Sequence, residues 1–262
     1  MMFLLRALML SLLFGASAKV VQDFQKECGQ FFANGRSPTI FPEPQYKQIC
    51  QTLNGNCYYA TLYDTSKKIP VYSAYKFEGV MGCTRTDTWY VEPQIDDITK
   101  GGNMDFSRTV YIQQRGLYQA VNSDYEGSGY DRGHLAPVYL ANSQSCADAT
   151  FTLTNAAPQT KCFNRIFWFE KEQSLANKLK KDCFSQQVYI VTGVVPGTTN
   201  IANRVNVPSY FWTAYCCLDN NKRCSISGGF IGSNENDSKI REMNVADLQR
   251  ELTKLYGKTF QF

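Results

Sequence analysis

The sequence predicts an α+β fold over residues 19–262, with a mainly antiparallel β-sheet flanked by helices and braced by disulfides. Three observations carry that expectation. Runs rich in aromatic and β-branched residues dominate the middle of the chain, segments with a helical apolar period stand singly between them, and ten cysteines follow a leader-like N-terminus. Of 262 residues, 44% are hydrophobic and 14% aromatic. A chain of this size can bury roughly 70–75% of its unfolded surface around one core. Disordered, collagen-like and coiled-coil classes are excluded by the same composition.

The elements follow in chain order. Residues Met1 to Ala18 carry one Arg, an apolar stretch from Ala7 to Phe14 and the small residues Ala16, Ser17 and Ala18, the pattern of a cleaved secretory signal peptide. The stretch is too short for a spanning helix, which needs about 20 apolar residues. Cys57 to Tyr63 and Val71 to Phe77 are strand-like runs around a polar turn with Asp64 and Pro70, which predicts a hairpin. Phe151 to Thr154, Val188 to Val195 and Tyr210 to Cys217 are expected as further strands. Asn164 to Lys181 and Val245 to Tyr256 are expected as helices, the second capped by Asn244 and apolar along Val245, Leu248, Leu252 and Leu255. No repeat or linker divides residues 19–262, and the C-terminus lacks the hydrophobic tail of a lipid-anchor signal. The expected product is a soluble secreted protein with no membrane anchor.

All ten cysteines lie after the leader, and an even number in an exported chain argues for disulfides. Pairing is not readable, although the adjacent Cys216 and Cys217 are expected to bridge to different partners. Zinc ligation is disfavoured by the lack of a C-x-x-C and by the single histidine. Asn236-Asp237-Ser238 is an acceptor sequence for glycosylation. Lys and Arg number 27 against 23 Asp and Glu, and removal of Arg6 with the leader leaves a net charge of +3. That bias is weak beside chains that bind nucleic acid by charge alone.

Only His134 can supply an imidazole, within Tyr130-Asp131-Arg132-Gly133-His134-Leu135-Ala136-Pro137. A lone histidine is more often structural than catalytic, but its Arg and Asp neighbours and the glycines at 127, 129 and 133 shift that weighting. The stretch from Asn122 to Pro137, NSDYEGSGYDRGHLAP, resembles the D-R-G-H signature of the DNA/RNA non-specific endonucleases. Leu153 to Gln159, LTNAAPQ, resembles that family's [ST]-N-x-x-P-Q, and Asn164 follows at the spacing of its metal-binding Asn. Trp168 and Glu172 stand four and eight residues further on. The hairpin, Val191-Thr192-Gly193 and Val207-Pro208 extend the likeness over most of residues 57–217.

The resemblance implies a ββα-metal nuclease site, in which the His ends a strand and the Asn opens the next helix. It implies Mg²⁺ as cofactor, with Mn²⁺ as a substitute, DNA and RNA as substrates, and products ending in 5′-phosphate and 3′-hydroxyl. Phosphodiester hydrolysis needs an activated water and positive charge on the developing oxyanion. His134 is the candidate general base. Asn164 is the candidate metal ligand, because Mg²⁺ keeps most of its waters and needs few protein oxygens; its bland alternative is a helix cap. Arg132 is the candidate phosphate clamp and transition-state stabiliser, against a surface cation. On an ideal helix Asn164, Trp168 and Glu172 share one face, and Glu172, about 12 Å along the axis from Asn164, is expected to reach metal-bound water or to be merely exposed. Asp131 is expected to hold its loop, and Asn155 to order the strand-to-helix connection or the metal's water shell. Bacterial members carry an arginine where this chain has Ala176, and Arg85, near Trp89, is the candidate substitute.

The reading is a secreted, divalent-metal-dependent endonuclease that cuts DNA, and RNA as well, with little sequence preference. An imidazole of ordinary acidity would lose activity below about pH 6.5. The alternative is an inactive extracellular module on the same fold that binds nucleic acid or protein; intact His134 and Asn164 speak against it.

Overall fold

The computed structural model describes residues 19–86 and 88–262, so the expected leader lies outside the described residues. The strands that position the site are β1 (Lys19–Val21), β2 (Tyr46–Leu53), β3 (Asn56–Asp64), β4 (Ile69–Phe77), β5 (Asp131–His134), β6 (Ala156–Gln159), β7 (Gln187–Val195), β8 (Tyr210–Leu218), β9 (Cys224–Ser233) and β10 (Arg241–Met243). Two long helices join them, α1 (Phe169–Asp182), entered through a π-helical turn over Phe163–Trp168, and α2 (Val245–Tyr256). Eight strands form one sheet in the order β1-β2-β3-β4-β7-β8-β9-β10, with every pairing antiparallel. β5 and β6 pair antiparallel outside it, with His134 opposite Ala156.

Both faces of the sheet are covered, which explains why its strands are near-continuous apolar runs. Tyr59, Tyr75, Ile190 and Phe211 point to the face covered by the β5–β6 hairpin and by Leu175, Ala176 and Leu179 of α1. Ala60, Leu62, Ala74 and Trp212 point to the other, beneath Leu248 and Leu252 of α2 and the aromatic residues Phe24, Phe32 and Phe260. This is the period-2 alternation of strand side chains expressed between two cores. Asn244 caps α2 as expected, accepting from Asp247 N–H at 2.8 Å, and Gly257 ends it in the left-handed conformation.

The hairpin and the strands from 188 and 210 form as the sequence indicates, but Phe151 to Thr154 is not a strand. It runs into a 3₁₀ turn at Leu153–Asn155, and the strand begins only at Ala156. The cause is Asn155, wholly buried, whose amide replaces ladder bonds with its own. Nδ2 donates to the carbonyls of Ala136 and Thr150, both at 3.0 Å, while Oδ1 accepts from Ala136 N–H and Ser73 Oγ, both at 2.9 Å. All four hydrogen-bonding positions of the amide are used. Ser73 lies on β4 and also bonds Thr61 of β3, so the turn after His134 is tied to the centre of the main sheet.

Three disulfides brace the fold. Cys28–Cys50 fixes the N-terminal segment to β2, Cys183–Cys217 fixes the end of α1 to β8, and Cys216–Cys224 closes the β8–β9 turn, so the adjacent pair does divide between partners. The parity argument for complete pairing fails at Cys57, Cys83, Cys146 and Cys162, which remain thiols. Burial pushes the Cys57 thiol up to about 12 and Cys146 up to about 11, so both are protonated and unreactive near neutrality. Among the described residues no helix is long and apolar enough to cross a membrane.

Alkylation of the denatured, unreduced protein should label the four cysteines 57, 83, 146 and 162 and leave three bridges on peptide mapping. Recovery of a fourth bridge would contradict that pairing. Asn155→Ala should lower the unfolding free energy by about 3 kcal/mol, because it strands buried backbone groups of the 136 turn. Urea denaturation checks this, and a loss under about 1 kcal/mol would mean that water replaces the amide.

Candidate active site

Six of the seven residues singled out from the sequence line one cleft of about 520 Å³: Arg85, Asp131, Arg132, His134, Asn164 and Glu172. Asn155 lies beneath it, fully buried, and its bonds are those of a brace for the 136 turn rather than of a water shell. The β5–β6 hairpin supplies one wall and the helix from 163 the other. Gly133 is required where the two strands meet, since a Cβ there would run into the Gln159 side chain.

His134 ends β5 and is 9% exposed. Its ring packs against Trp89 at a centroid distance of 5.1 Å and edge-on to Phe151 at 4.9 Å. Burial, then the positive charge of Arg85, lower its pKa to about 3, against an opposing hydrogen bond with the Arg132 backbone. Both effects favour the neutral imidazole, and Nε2 is sealed from solvent without a protein partner. The expectation of an ordinary imidazole that charges near pH 6.5 left out the aromatic walls, which remove water that would stabilise the cation.

Arg132 lies between the rings of Trp89 and Tyr125, its guanidinium 5.3 and 5.2 Å from their centroids. Nη2 donates to the Asn122 carbonyl at 3.2 Å, whereas Nε is unpartnered. Arg85 reaches the cleft over the face of Phe151, 5.3 Å from its centroid. Glu172 feels burial first and Arg85 second; burial raises its pKa to about 8, while the arginine opposes the rise. Ala176, where bacterial relatives of the motif carry arginine, is wholly buried against the core, so a long cation has no room there.

The helix does not present Asn164, Trp168 and Glu172 on one face. Asn164 and Glu172 line the cleft, but Trp168 is buried among Phe163, Phe211 and Phe230. A π-helical turn runs over Phe163–Trp168 in place of the regular helix assumed there, and Trp168 is held in the core by these aromatic neighbours. Nor does Asp131 serve its loop alone. Its carboxylate accepts from Asn164 Nδ2 at 3.0 Å and from Arg165 Nε and Nη2, each at 2.7 Å. Although burial by itself would raise the Asp131 pKa, the Arg165 and Asn164 bonds carry it below the usual carboxylate range.

Whether a hard cation fits can be judged from the donor set. A carboxylate only accepts, so Asp131 holds the amide nitrogen of Asn164 and leaves Oδ1, which takes no hydrogen bond from the described residues. That free amide oxygen, with the desolvated Glu172 carboxyl in the same cleft, suits an ion such as Mg²⁺ that asks for few protein oxygens. Asn164 would hold it, and Glu172 would face its shell. Sequence reasoning missed Arg165 and the ring walls of Phe151, Tyr139 and Phe169. Only Arg165 carried a signal, its place directly after Asn164.

Residues 38–255 match the model of the family described as DNA/RNA non-specific endonuclease. The human endonuclease domain-containing 1 protein is 34% identical over 230 residues, covering 86% of this chain and 45% of that protein. Human mitochondrial endonuclease G is 42% identical over 117 residues, covering 42% of this chain and 37% of that protein. The chain thus spans under half the length of these curated relatives. A chain of the crystal structure of the EndoG/EndoGI complex shares the fold, with a TM-score of 0.55 at 23% identity over 79% of this chain and 83% of that one. A family model that spans most of the chain, joined to a cleft that gathers the D-R-G-H residues with Asn164, leads to one conclusion: this chain belongs to the DNA/RNA non-specific endonuclease family.

Proposed function

We propose that residues 19–262 form a secreted, divalent-metal-dependent endonuclease domain that hydrolyses phosphodiester bonds in DNA and RNA with little sequence preference. The observation that carries this reading is a single cleft in which the imidazole of His134 meets three guanidinium groups, a free amide oxygen and two carboxyl groups. The leader-like residues 1–18 and the three disulfides favour the secretory pathway.

His134 takes the proton of the attacking water through its imidazole, and a depressed pKa keeps the ring competent to do so without prior deprotonation. Trp89 and Phe151 hold the ring and exclude bulk water from its faces. Arg132, clamped between two aromatic rings, brings its guanidinium charge to the cleft and stabilises charge that develops on a phosphate oxygen. Arg85, an exposed side chain lining the same cleft, adds a second positive charge close enough to act on both His134 and Glu172. A bound Mg²⁺ or Mn²⁺ supplies Lewis-acid stabilisation of the phosphate and leaving oxygen. Contacts made to phosphate and sugar position a strand without reading its sequence, and the products end in 5′-phosphate and 3′-hydroxyl.

Digestion of plasmid DNA and of RNA at low salt, with Mg²⁺, with Mn²⁺ and with chelator, tests the reading. Metal-dependent cutting of both is expected; folded protein inactive with every divalent cation would sink it. His134→Ala should lower the rate by roughly 10²–10⁴-fold with the fold intact, the range for loss of a general base. An active variant would remove His134 from the chemistry.

The pH profile gives a separate check. Because the folded pKa of His134 is depressed to about 3, the base stays unprotonated as pH falls from 7, and activity persists through pH 5. The acid limb of kcat/KM should therefore lie well below 6.5. A limb centred near 6.5 would show that the ring is solvated in the working enzyme.

A further inference from the structure

Asn164 has no other fixed partner for its amide than Asp131, and a terminal amide turns about a soft torsion whose two flipped states differ only in their hydrogen bonds. One of those states points an oxygen into the cleft and the other points an NH₂, which repels a cation. The choice between them rests on the Asp131 carboxylate. That carboxylate is in turn gripped by Arg165, whose Nε and Nη2 meet its two oxygens in a two-pronged pair, both at 2.7 Å, while Asn164 shares Oδ2 at 3.0 Å. The pair spans from strand β5 to the π-helical turn, the two walls of the cleft.

We propose that Arg165 is a positioning residue for the metal site: by locking the Asp131 carboxylate it holds Asn164 with Oδ1 toward the cleft, so that removing Arg165 weakens cation binding without removing a ligand. The inference rests on the reading of Asn164 as the ligand. Arg165 is 64% exposed at its side chain and makes little contribution to the core, whereas its partner Asp131 is only 15% exposed. Its value lies in geometry. A guanidinium fork fixes the plane of a carboxylate, whereas a lysine ammonium offers only a point charge.

Binding of Mn²⁺ alone to the folded protein, followed by calorimetry and by loss of the free-ion paramagnetic resonance signal, tests this without turnover. Arg165→Ala and Asp131→Asn should each weaken Mn²⁺ affinity by roughly 10–100-fold, the usual cost of an outer partner of a ligand. Arg165→Lys should recover only part of the loss. The double variant should bind no more weakly than Asp131→Asn alone, because both changes break one chain of bonds. In Mg²⁺-supported cleavage, Arg165→Ala should recover most of its kcat at saturating metal, with KM for the oligonucleotide unchanged.

If the unaltered protein binds no Mn²⁺, the metal-site reading itself falls, and the inference falls with it. If the unaltered protein binds Mn²⁺ and Arg165→Ala binds equally well, the metal reading stands and the positioning role is overturned. A rise in KM with a weaker salt dependence, at unchanged Mn²⁺ affinity, would overturn it in favour of a direct phosphate contact by Arg165. Thermal unfolding of each variant separates a folding defect from a loss of metal affinity, since Asp131 is only 15% exposed.

Discussion

The buried amide of Asn155 is the constraint on which the rest of the site depends. It sits between the main sheet and the β5–β6 hairpin, which share no strand pairing, and its four hydrogen bonds join them through Ser73, Ala136 and Thr150. Buried polar groups are costly unless every position is satisfied, so a fully used amide tolerates one arrangement of the backbone around it. The turn it fixes follows directly on His134. The position of the imidazole relative to the sheet is thus set by a side chain that never reaches the cleft.

Around that fixed hairpin the cleft is built from aromatic rings. Trp89 and Phe151 wall the imidazole, and Trp89 and Tyr125 enclose the Arg132 guanidinium. Removing water has opposite effects on the two kinds of titratable group: it keeps His134 neutral and drives Glu172 toward its protonated form. Arg85 favours the neutral imidazole and the ionised carboxylate at once, so one cation tunes both. Charge developing on a phosphate bound there would meet both Arg132 and Arg85.

Legibility divided along the range of the interactions. The hairpin from 57 to 77, the strands from 188 and 210 and the Asn244 cap were readable because period, turn residues and caps act within a few positions. The segment from Phe151 failed because its composition favours a strand while Asn155 draws the backbone carbonyls of Thr150 and Ala136 into bonds of its own. The common face of Asn164, Trp168 and Glu172 failed because Trp168 packs into the core against Phe211 and Phe230 from distant strands, and a residue count cannot reveal that. Cysteine parity suggested complete pairing, but bonding needs two thiols brought together in the right geometry, and four find no partner.

By itself the sequence determined the family, the antiparallel α+β architecture and the candidate residues, because those features are carried by contiguous motifs such as DRGH and by local periodicity. Only the tertiary structure decided the surroundings of those residues: that the imidazole is buried between aromatic rings, that Arg85 reaches it from a distant segment, and that Asp131 meets Asn164 and Arg165 across the cleft. Charge, solvation and amide orientation depend on what packs against a group from other segments. The order of residues along the chain names the groups, and the fold sets their surroundings.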